Sequence, residues 1–269
     1  MTGNPHSARY LARAGSLGVR LAAGGEIMRA QKLRHRVFYE ELSAIPADAA
    51  ALSGRDIDRF DRSADHLVVF DHAVPTEEGF AMVATIRLLR PETAVRGFYS
   101  ETEFDLAPML ARNGDRRFLE MGRVCVLDKY RRSLAAKLMV TGVWRYLLRH
   151  RLDVIIGCAS LPGTDVQHLT PLLATLRERA PAPDAWRVRA RHDGIRLDAL
   201  PRAPHGAARA LRGLPPLLRG ALHAGGYVCE EAVIDRQFRT TDVFIILTKE
   251  AILARYGRNA QARLEQAAA

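Results

Sequence analysis

The sequence predicts a mixed α/β layer in which a crossover helix joins two parallel strands. Three observations point there. Short apolar, β-branched runs recur at 66–70, 80–89, 117–127 and 153–159. A helical-period run at 131–149 separates the last two, with Leu134, Leu138, Val143, Tyr146 and Leu147 along one side. Two β-rich runs, 226–234 and 241–247, are joined by D-R-Q-F-R-T, the pattern of a terminal antiparallel hairpin.

The remaining elements follow in chain order. Residues 1–25 are basic and rich in Ala and Gly, with a short edge strand expected near 18–22. Ile27, Ala30, Leu33, Val37 and Phe38 recur at helical spacing and predict a helix over 26–42. Residues 44–64 have little periodicity and read as a loop with at most a short helical turn. A Pro-containing turn separates the strands at 66–70 and 80–89, and 90–116 is mostly irregular. Residues 177–219 contain ten Arg and four acids among many Pro and Ala, a composition that reads as a partly helical insertion at the sheet edge. A short helix follows the hairpin. The organisation expected is a basic segment at 1–25, one domain over 26–257 with an insertion at about 165–215, and a tail at 258–269.

Composition bounds the function. Apolar residues make up 48% of 269, enough for a sizeable core. The net charge of +10 favours an acidic partner: nucleic acid, an anionic membrane or an acidic protein. Few aromatics (7%), no zinc-ligand spacing and no helix-turn-helix or RNA-binding signature argue against nucleic acid. Cys125, Cys158 and Cys229 are odd in number and far apart, as in reduced thiols of a cytoplasmic protein. No apolar run reaches the roughly 18 residues of a membrane span, and no apolar h-region marks a signal peptide.

The informative feature is F-L-E-M-G-R-V-C-V at 118–126, a strand with Glu120 and Arg123 inside it. Residues three apart in a regular strand face opposite sides. A bulge at 121–123, marked by Gly122, would bring both charges to one face and leave a backbone N–H unpaired, free to stabilise an oxyanion. Other charges need partners too. Arg87 lies in the apolar strand T-I-R-L-L, where an unpaired guanidinium is costly. Arg34 and Phe38 close the first helix, and Asp56, Asp58 and Asp61 follow in D-I-D-R-F-D. These residues suit a solvated helix face and polar loop, or a site for a cationic amino acid. Two patterns are set aside. H-L-V-V-F-D at 66–71 matches an acyltransferase H-x-x-x-x-D by two residues only, and G-C-A-S-L-P-G at 157–163 is not a nucleophile elbow.

The order R-x-x-x-F, D-x-D-x-x-D, R-L-L and E-x-x-R resembles the acyl-homoserine-lactone synthases of the GNAT superfamily. V-F-Y-E-E, D-H-L-V-V, G-F-Y-S-E-T-E-F-D-L, L-E-M-G-R-V-C-V, G-C-A-S-L-P-G, L-P-P-L-L-R-G and D-R-Q-F-R-T-T-D-V-F are similar to segments of the L-ornithine Nα-acyltransferases of ornithine-lipid biosynthesis. The resemblance implies a GNAT-like α/β fold: a mostly antiparallel central sheet, one splayed parallel pair and flanking helices. It implies transfer of a 3-hydroxy fatty acyl group from acyl carrier protein to the α-amine of L-ornithine. A homoserine-lactone synthase or another amino-acid acceptor stays as the alternative.

Carried over to this sequence, Glu120 becomes the general base or amine anchor, with Arg123 and Arg34 ordering the acidic loop. Asp56, Asp58 and Asp61 face the amino acid, Phe38 lines the same site and Arg87 braces it. The backbone at Val124, Cys125 and Val126 faces the thioester oxygen, and the phosphopantetheine arm runs between strands 117–127 and 153–159. Arg131 and Arg132 lie where CoA-using relatives have a Gly-containing phosphate loop. Leu134 stands in place of the first Gly, and its Cβ hinders approach to a diphosphate. This favours a carrier-protein donor, with no permanently bound cofactor and no metal. The basic surface then suits acidic carrier protein or anionic lipid, at the inner face of the membrane.

Overall fold

The computed structural model describes residues 10–46, 48–202, 211 and 213–266. The first nine residues of the basic segment, part of the Arg-rich stretch and the last three residues of the tail lie outside them. The chain divides into two compact units. The first takes Met1–Val95, Met121–Arg151 and Ala262–Ala269, and the second takes Arg96–Glu120 and Leu152–Gln261.

In the first unit, β1 (Ala12–Ala14), β2 (Leu17–Leu21), β3 (Asp65–Thr76) and β4 (Gly79–Leu89) form an antiparallel meander. Residues 121–126 of β6 (Phe118–Val126) lie beside β4. The β3–β4 turn is tighter than expected. Pro75 pairs with Phe80 inside the ladder, Thr76 pairs with Gly79, and Glu77 and Glu78 form the tip. Gly79 has φ +109°, a conformation that a side chain resists.

Two helices cover this part of the sheet. α1 (Glu26–His35) sets Ala30 and Leu33 against Val68, Phe70, Met82 and Cys125. The helix predicted to 42 instead loosens into a π turn, Arg36–Glu41, closed by Leu42 N donating to Val37 O at 3.0 Å. The short helix α2 (Asp48–Ser53) lies in the expected loop. α4 (Ala135–Arg149) starts four residues later than predicted. A 3₁₀ turn at Asp128–Tyr130 precedes it, and Leu134 is exposed rather than core. Leu138, Val143, Tyr146 and Leu147 are buried as expected. Gly142 of α4 meets β2 and β3 closely. A Cβ there would stand 2.9 Å from Val19 Cγ2 and 3.0 Å from Leu67 Cδ2. With Leu67 against α4 and Val68 against α1, β3 is covered on both faces, which explains its unbroken L-V-V-F run.

In the second unit, Phe118, Leu119 and Glu120 of β6 pair in parallel with Val154, Ile155 and Ile156 of β7 (Val154–Pro162). The ladder ends there. β11 (Thr240–Thr248) runs antiparallel to β7, and β10 (Tyr227–Asp235) antiparallel to β11, giving the expected hairpin. β9 (Ile195–Arg196) adds the edge. The 90–116 stretch is more regular than its sequence suggested. It carries a 3₁₀ helix (Tyr99–Thr102), β5 (Phe104–Asp105) paired with β8 (Arg189–Ala190), and α3 (Ala107–Arg112).

The Arg-rich stretch is not merely appended. Leu169, Leu173 and Leu176 of α5 (Val166–Arg179), Leu197, Leu214 and Leu218 pack on Val228, Ala232, Val243 and Ile245. The apolar stripe of α5 precedes the Arg-rich stretch, and Pro171 stands inside the helix. Asp165 caps α5 by accepting from Gln167 N and His168 N. No helix among the described residues is long and apolar enough to cross a membrane.

Because Val19 and Leu67 are themselves buried, they cannot yield to a new side chain. Gly142→Val is therefore expected to destabilise by about 1–3 kcal/mol in urea unfolding, despite removing a helical glycine.

Candidate functional site

The first unit places three of the predicted arginines and three of the predicted aspartates in one buried knot. Arg34 is fully buried. Its guanidinium donates in a fork to Asp61, from Nη1 to Oδ1 at 2.9 Å and from Nη2 to Oδ2 at 2.6 Å. It also reaches the Asp56 carbonyl, and Nε lies 2.8 Å from Asp56 Oδ2. Arg87 donates through Nη1 to both oxygens of Asp58 at 2.6 Å and to Asp61 Oδ1 at 3.2 Å. Arg123 completes the set, with Nε to Asp56 Oδ2 and Nη2 to Asp58 Oδ2, both at 3.2 Å. Tyr39 OH, Gln31 Nε2 and His66 Nε2 add bonds to Asp56 Oδ1, Asp61 Oδ2 and the Asp61 carbonyl.

Each member arrives by local chemistry. The π turn at 36–41 carries Tyr39, whose hydroxyl meets Asp56. Asp56 N donates to Gln31 O, tying the acidic loop to α1. Arg123 has φ +50°. A left-handed residue within a strand is the mark of a bulge, but it falls on Arg123 itself rather than on Gly122, around which space is open.

The knot balances its charges, and the acids respond. Burial alone pushes Asp58 and Asp61 upward, yet Arg87 and Arg123 at the first and Arg34 and Arg87 at the second outweigh it. Both carboxyls sit below the usual range, Asp61 far below. Burial pushes His66 below its ordinary value, so its imidazole is neutral in the folded protein. The knot thus holds the 56–61 loop against α1, β4 and β6. Asp58 keeps the most exposed carboxylate of the three acids.

The second unit holds Glu120. Its carboxylate is buried and accepts from Tyr99 N at Oε2 (2.6 Å), Ser100 N at Oε1 (2.7 Å) and Ser100 Oγ at Oε1 (2.6 Å). The first N–H groups of a helix have no internal partner, so the 3₁₀ helix at Tyr99–Thr102 presents them to Glu120. Cys158 Sγ donates to the same Ser100 Oγ at 3.4 Å. Burial, then the charges of Glu103 and Asp242, raise the Cys158 thiol well above its ordinary value. It is no ready thiolate. Glu103, Asp235 and Asp242 bring carboxylate oxygens within 4.8 Å of one another. Sequence reasoning gave Tyr99, Ser100, Cys158 and this acidic trio no role. The signal present was G-F-Y-S-E, a helix start whose free N–H groups require an acceptor.

The other expected residues are more scattered in their contacts. Cys125 is buried against α1, and burial raises its thiol. Val126 O accepts from Arg131 Nε at 3.2 Å. Arg131 also binds Asp128 at 2.9 Å and Glu41, so its guanidinium is tied into the surface, while Arg132 is exposed. Phe38 is half-buried beside the α1 core. His66 and Asp71 of the H-x-x-x-x-D pattern do not meet: Asp71 accepts from Tyr130 OH at 2.7 Å.

The knot predicts acid lability with a definite sign. Asp58 and Asp61 contribute stability above the ordinary carboxylate value of 3.8, and it is lost as pH falls toward their lowered folded values. Neutral His66 adds a loss of the same sign below 6.5, where the unfolded chain binds the proton first. Urea-unfolding stability is therefore expected to decline from pH 6.5 downward, most steeply below 4. Asp61→Asn leaves Arg34 and Arg87 short of charge. It is expected to cost about 3–5 kcal/mol at neutral pH and to flatten the acid slope.

Comparison with known proteins gives this geometry a context. The acetyltransferase (GNAT) domain family matches residues 33–141. An L-ornithine N(alpha)-acyltransferase from Brucella abortus is 42% identical over 91% of this chain and 89% of its own length. One from Rhizobium meliloti is 40% identical over 91% and 84%. Among solved structures, FeeM, an N-acyl amino acid synthase from uncultured soil microbes, aligns with TM-score 0.45 and 13% identity over 89% of this chain and 94% of its own. The acyl-homoserine-lactone synthase LasI aligns with TM-score 0.40 and 15% identity over 90% and 96%. Residues 33–141 match the GNAT domain, and at such identity over nine-tenths of its length the chain belongs to the L-ornithine N(alpha)-acyltransferase family.

Proposed function

We propose that this protein transfers a 3-hydroxy fatty acyl group from acyl carrier protein to the α-amine of L-ornithine, forming lyso-ornithine lipid. The observation that carries the reading is the 42% identity to a relative named as an L-ornithine N(alpha)-acyltransferase. The donor, the 3-hydroxy group and the product come from the resemblance of the motifs and the missing diphosphate-loop glycine at Leu134.

In the reaction the α-ammonium loses a proton, and the free amine attacks the thioester carbonyl. The C–N bond forms, the oxyanion collapses, the C–S bond breaks and the carrier thiol leaves with a proton. Strand β6 carries the two groups assigned to these steps. Glu120 takes the ammonium proton, directly or through a water. Backbone N–H groups at Val124–Val126 stabilise the oxyanion. Support for Glu120 comes from its fixed orientation: Tyr99 N, Ser100 N and Ser100 Oγ hold the carboxylate, and Ser100 Oγ links it to Cys158. Asp58, the most exposed acid of the knot, is assigned to the acceptor's ammonium. Arg87 and Arg123 act as positioning residues that hold it, and Arg34 fixes the same loop through Asp56 and Asp61. The product is an amphiphile, so release at the inner face of a membrane completes the reading.

Purified protein with 3-hydroxyacyl carrier protein is expected to release free carrier thiol when ornithine is added. Release with another amino acid at equal or higher kcat/KM would reassign the acceptor, and no release across a panel would remove the catalytic reading. Glu120→Gln is expected to lower kcat at least about 100-fold. Ser100→Ala keeps both backbone donors to Glu120. It is expected to cost about 1 kcal/mol of stability and to lower kcat less than Glu120→Gln does. A near-normal rate for Glu120→Gln, with folding checked by thermal melts, would leave Glu120 as a helix cap only.

A further inference from the structure

The carrier sulfur must leave with a proton, and Glu120 ends its own step holding one. A hydrogen-bonded line leads away from that carboxylate. Ser100 Oγ donates to Glu120 Oε1 at 2.6 Å, and Cys158 Sγ donates to Ser100 Oγ at 3.4 Å. All three residues belong to the second unit. Residues two apart in a strand share a face. Glu120 pairs with Ile156, so Cys158, two residues further along β7, stands on the Glu120 side.

The line runs from the interior outward. Ile156 is 1% exposed and Gly157 is buried, whereas Cys158 and Ala159 are only partly covered. Cover is lost just past the last β6–β7 pair, on the strand beside which the phosphopantetheine arm is expected. Cys125 and Cys229 are buried, and of the three thiols Cys158 alone keeps some surface. Burial and the carboxylates of Glu103 and Asp242 keep its thiol protonated at neutral pH, so it is a poor nucleophile and a stocked proton donor.

We infer that Ser100 and Cys158 form a proton-return line that carries the ammonium proton from Glu120 to the sulfur of the departing carrier thiol. The line rests on the acyl-transfer reading, with Glu120 as its base. As the C–S bond breaks, its electron pair goes to the carrier sulfur. That sulfur takes the Cys158 thiol proton, Cys158 Sγ takes the Ser100 hydroxyl proton, and Ser100 Oγ takes the proton that Glu120 received from the amine. The second proton lost from nitrogen as the amide forms goes to solvent water. All three residues end as they began. A protonated carboxyl is a far stronger acid than a thiol, about 4 against about 8.5 in water, so the net transfer runs downhill. The surroundings disfavour a Cys158 thiolate, so the transfers run in concert. Cys158 meets the leaving sulfur as a catalytic residue, and Ser100 acts through it as a positioning residue.

The test is release of free carrier thiol by the full chain with 3-hydroxyacyl carrier protein and ornithine. Cys158→Ala is expected to lower kcat at least about tenfold with little change in KM, a modest factor because a thiolate can leave unprotonated. Cys158→Ser puts a hydroxyl in the same place and is expected to keep kcat within about threefold of wild type. A relay works only as a whole, so Cys158→Ala combined with Ser100→Ala is expected to be no slower than the slower single variant. Thermal melts check folding, and Cys158→Val, close in shape to cysteine, repeats the test without a proton donor. A normal kcat for Cys158→Ala overturns the line. So does a double variant whose loss is the product of the two single losses, or equal slowing by Cys158→Ser and Cys158→Ala. Thiol release by the wild-type chain in the same assay separates these outcomes from failure of the acyl-transfer reading, in which the wild-type chain itself releases none.

Discussion

Arg34 sits on the buried face of the first helix with no solvent around its guanidinium. A cation in that position must be matched by fixed carboxylates, or the helix cannot pack as it does. The match comes from Asp56 and Asp61, and satisfying it draws in the rest of the loop. Once the loop is placed, Asp58 faces Arg87 on β4 and Arg123 on β6. Six ion pairs among three arginines and three aspartates therefore take the place of a hydrophobic seam, and a segment with little periodicity of its own becomes ordered. Such pairs are a weak source of net stability compared with apolar packing. Their contribution is position: each acid has one permitted place.

Strand β6 carries two kinds of charge chemistry on one short run. Glu120 ends the parallel ladder with β7 and caps the 3₁₀ helix at Tyr99–Thr102. Three residues on, Arg123 adopts a left-handed backbone and joins the knot. A regular strand would alternate these side chains strictly. The departure at Arg123 releases that constraint, and the strain of a non-glycine residue at positive φ is offset by ion pairs to two aspartates. Strain of this kind persists where the surroundings over-determine it, and it clusters at functional sites.

The charge surplus divides into different uses. Arg34, Arg87 and Arg123 are consumed inside the protein, and Arg131 is tied to Asp128 and Glu41. The Arg-rich stretch near α5 overlies a leucine core, so its composition understates its structural part. A net positive charge summed over the sequence therefore says little about where an acidic partner docks.

Much of this was legible in the residues. Periodicity marked α1, α4 and the main strands, because a buried face repeats at 3.6 or 2 residues whatever lies opposite it. The cost of burying charge singled out Arg87, Glu120 and Arg123 before any geometry was known. Helix α5 was obscured by Pro171 in its interior, and the π turn at 36–41 has no sequence period of its own. Tertiary structure alone decided the pairings. That Asp56 and Asp61 answer Arg34, that Tyr99 and Ser100 donate to Glu120, and that Cys158 reaches Ser100 depends on residues far apart in the chain. A sequence shows which groups need a partner, since solvation is local; which partner each one finds is set only when the fold brings distant segments together.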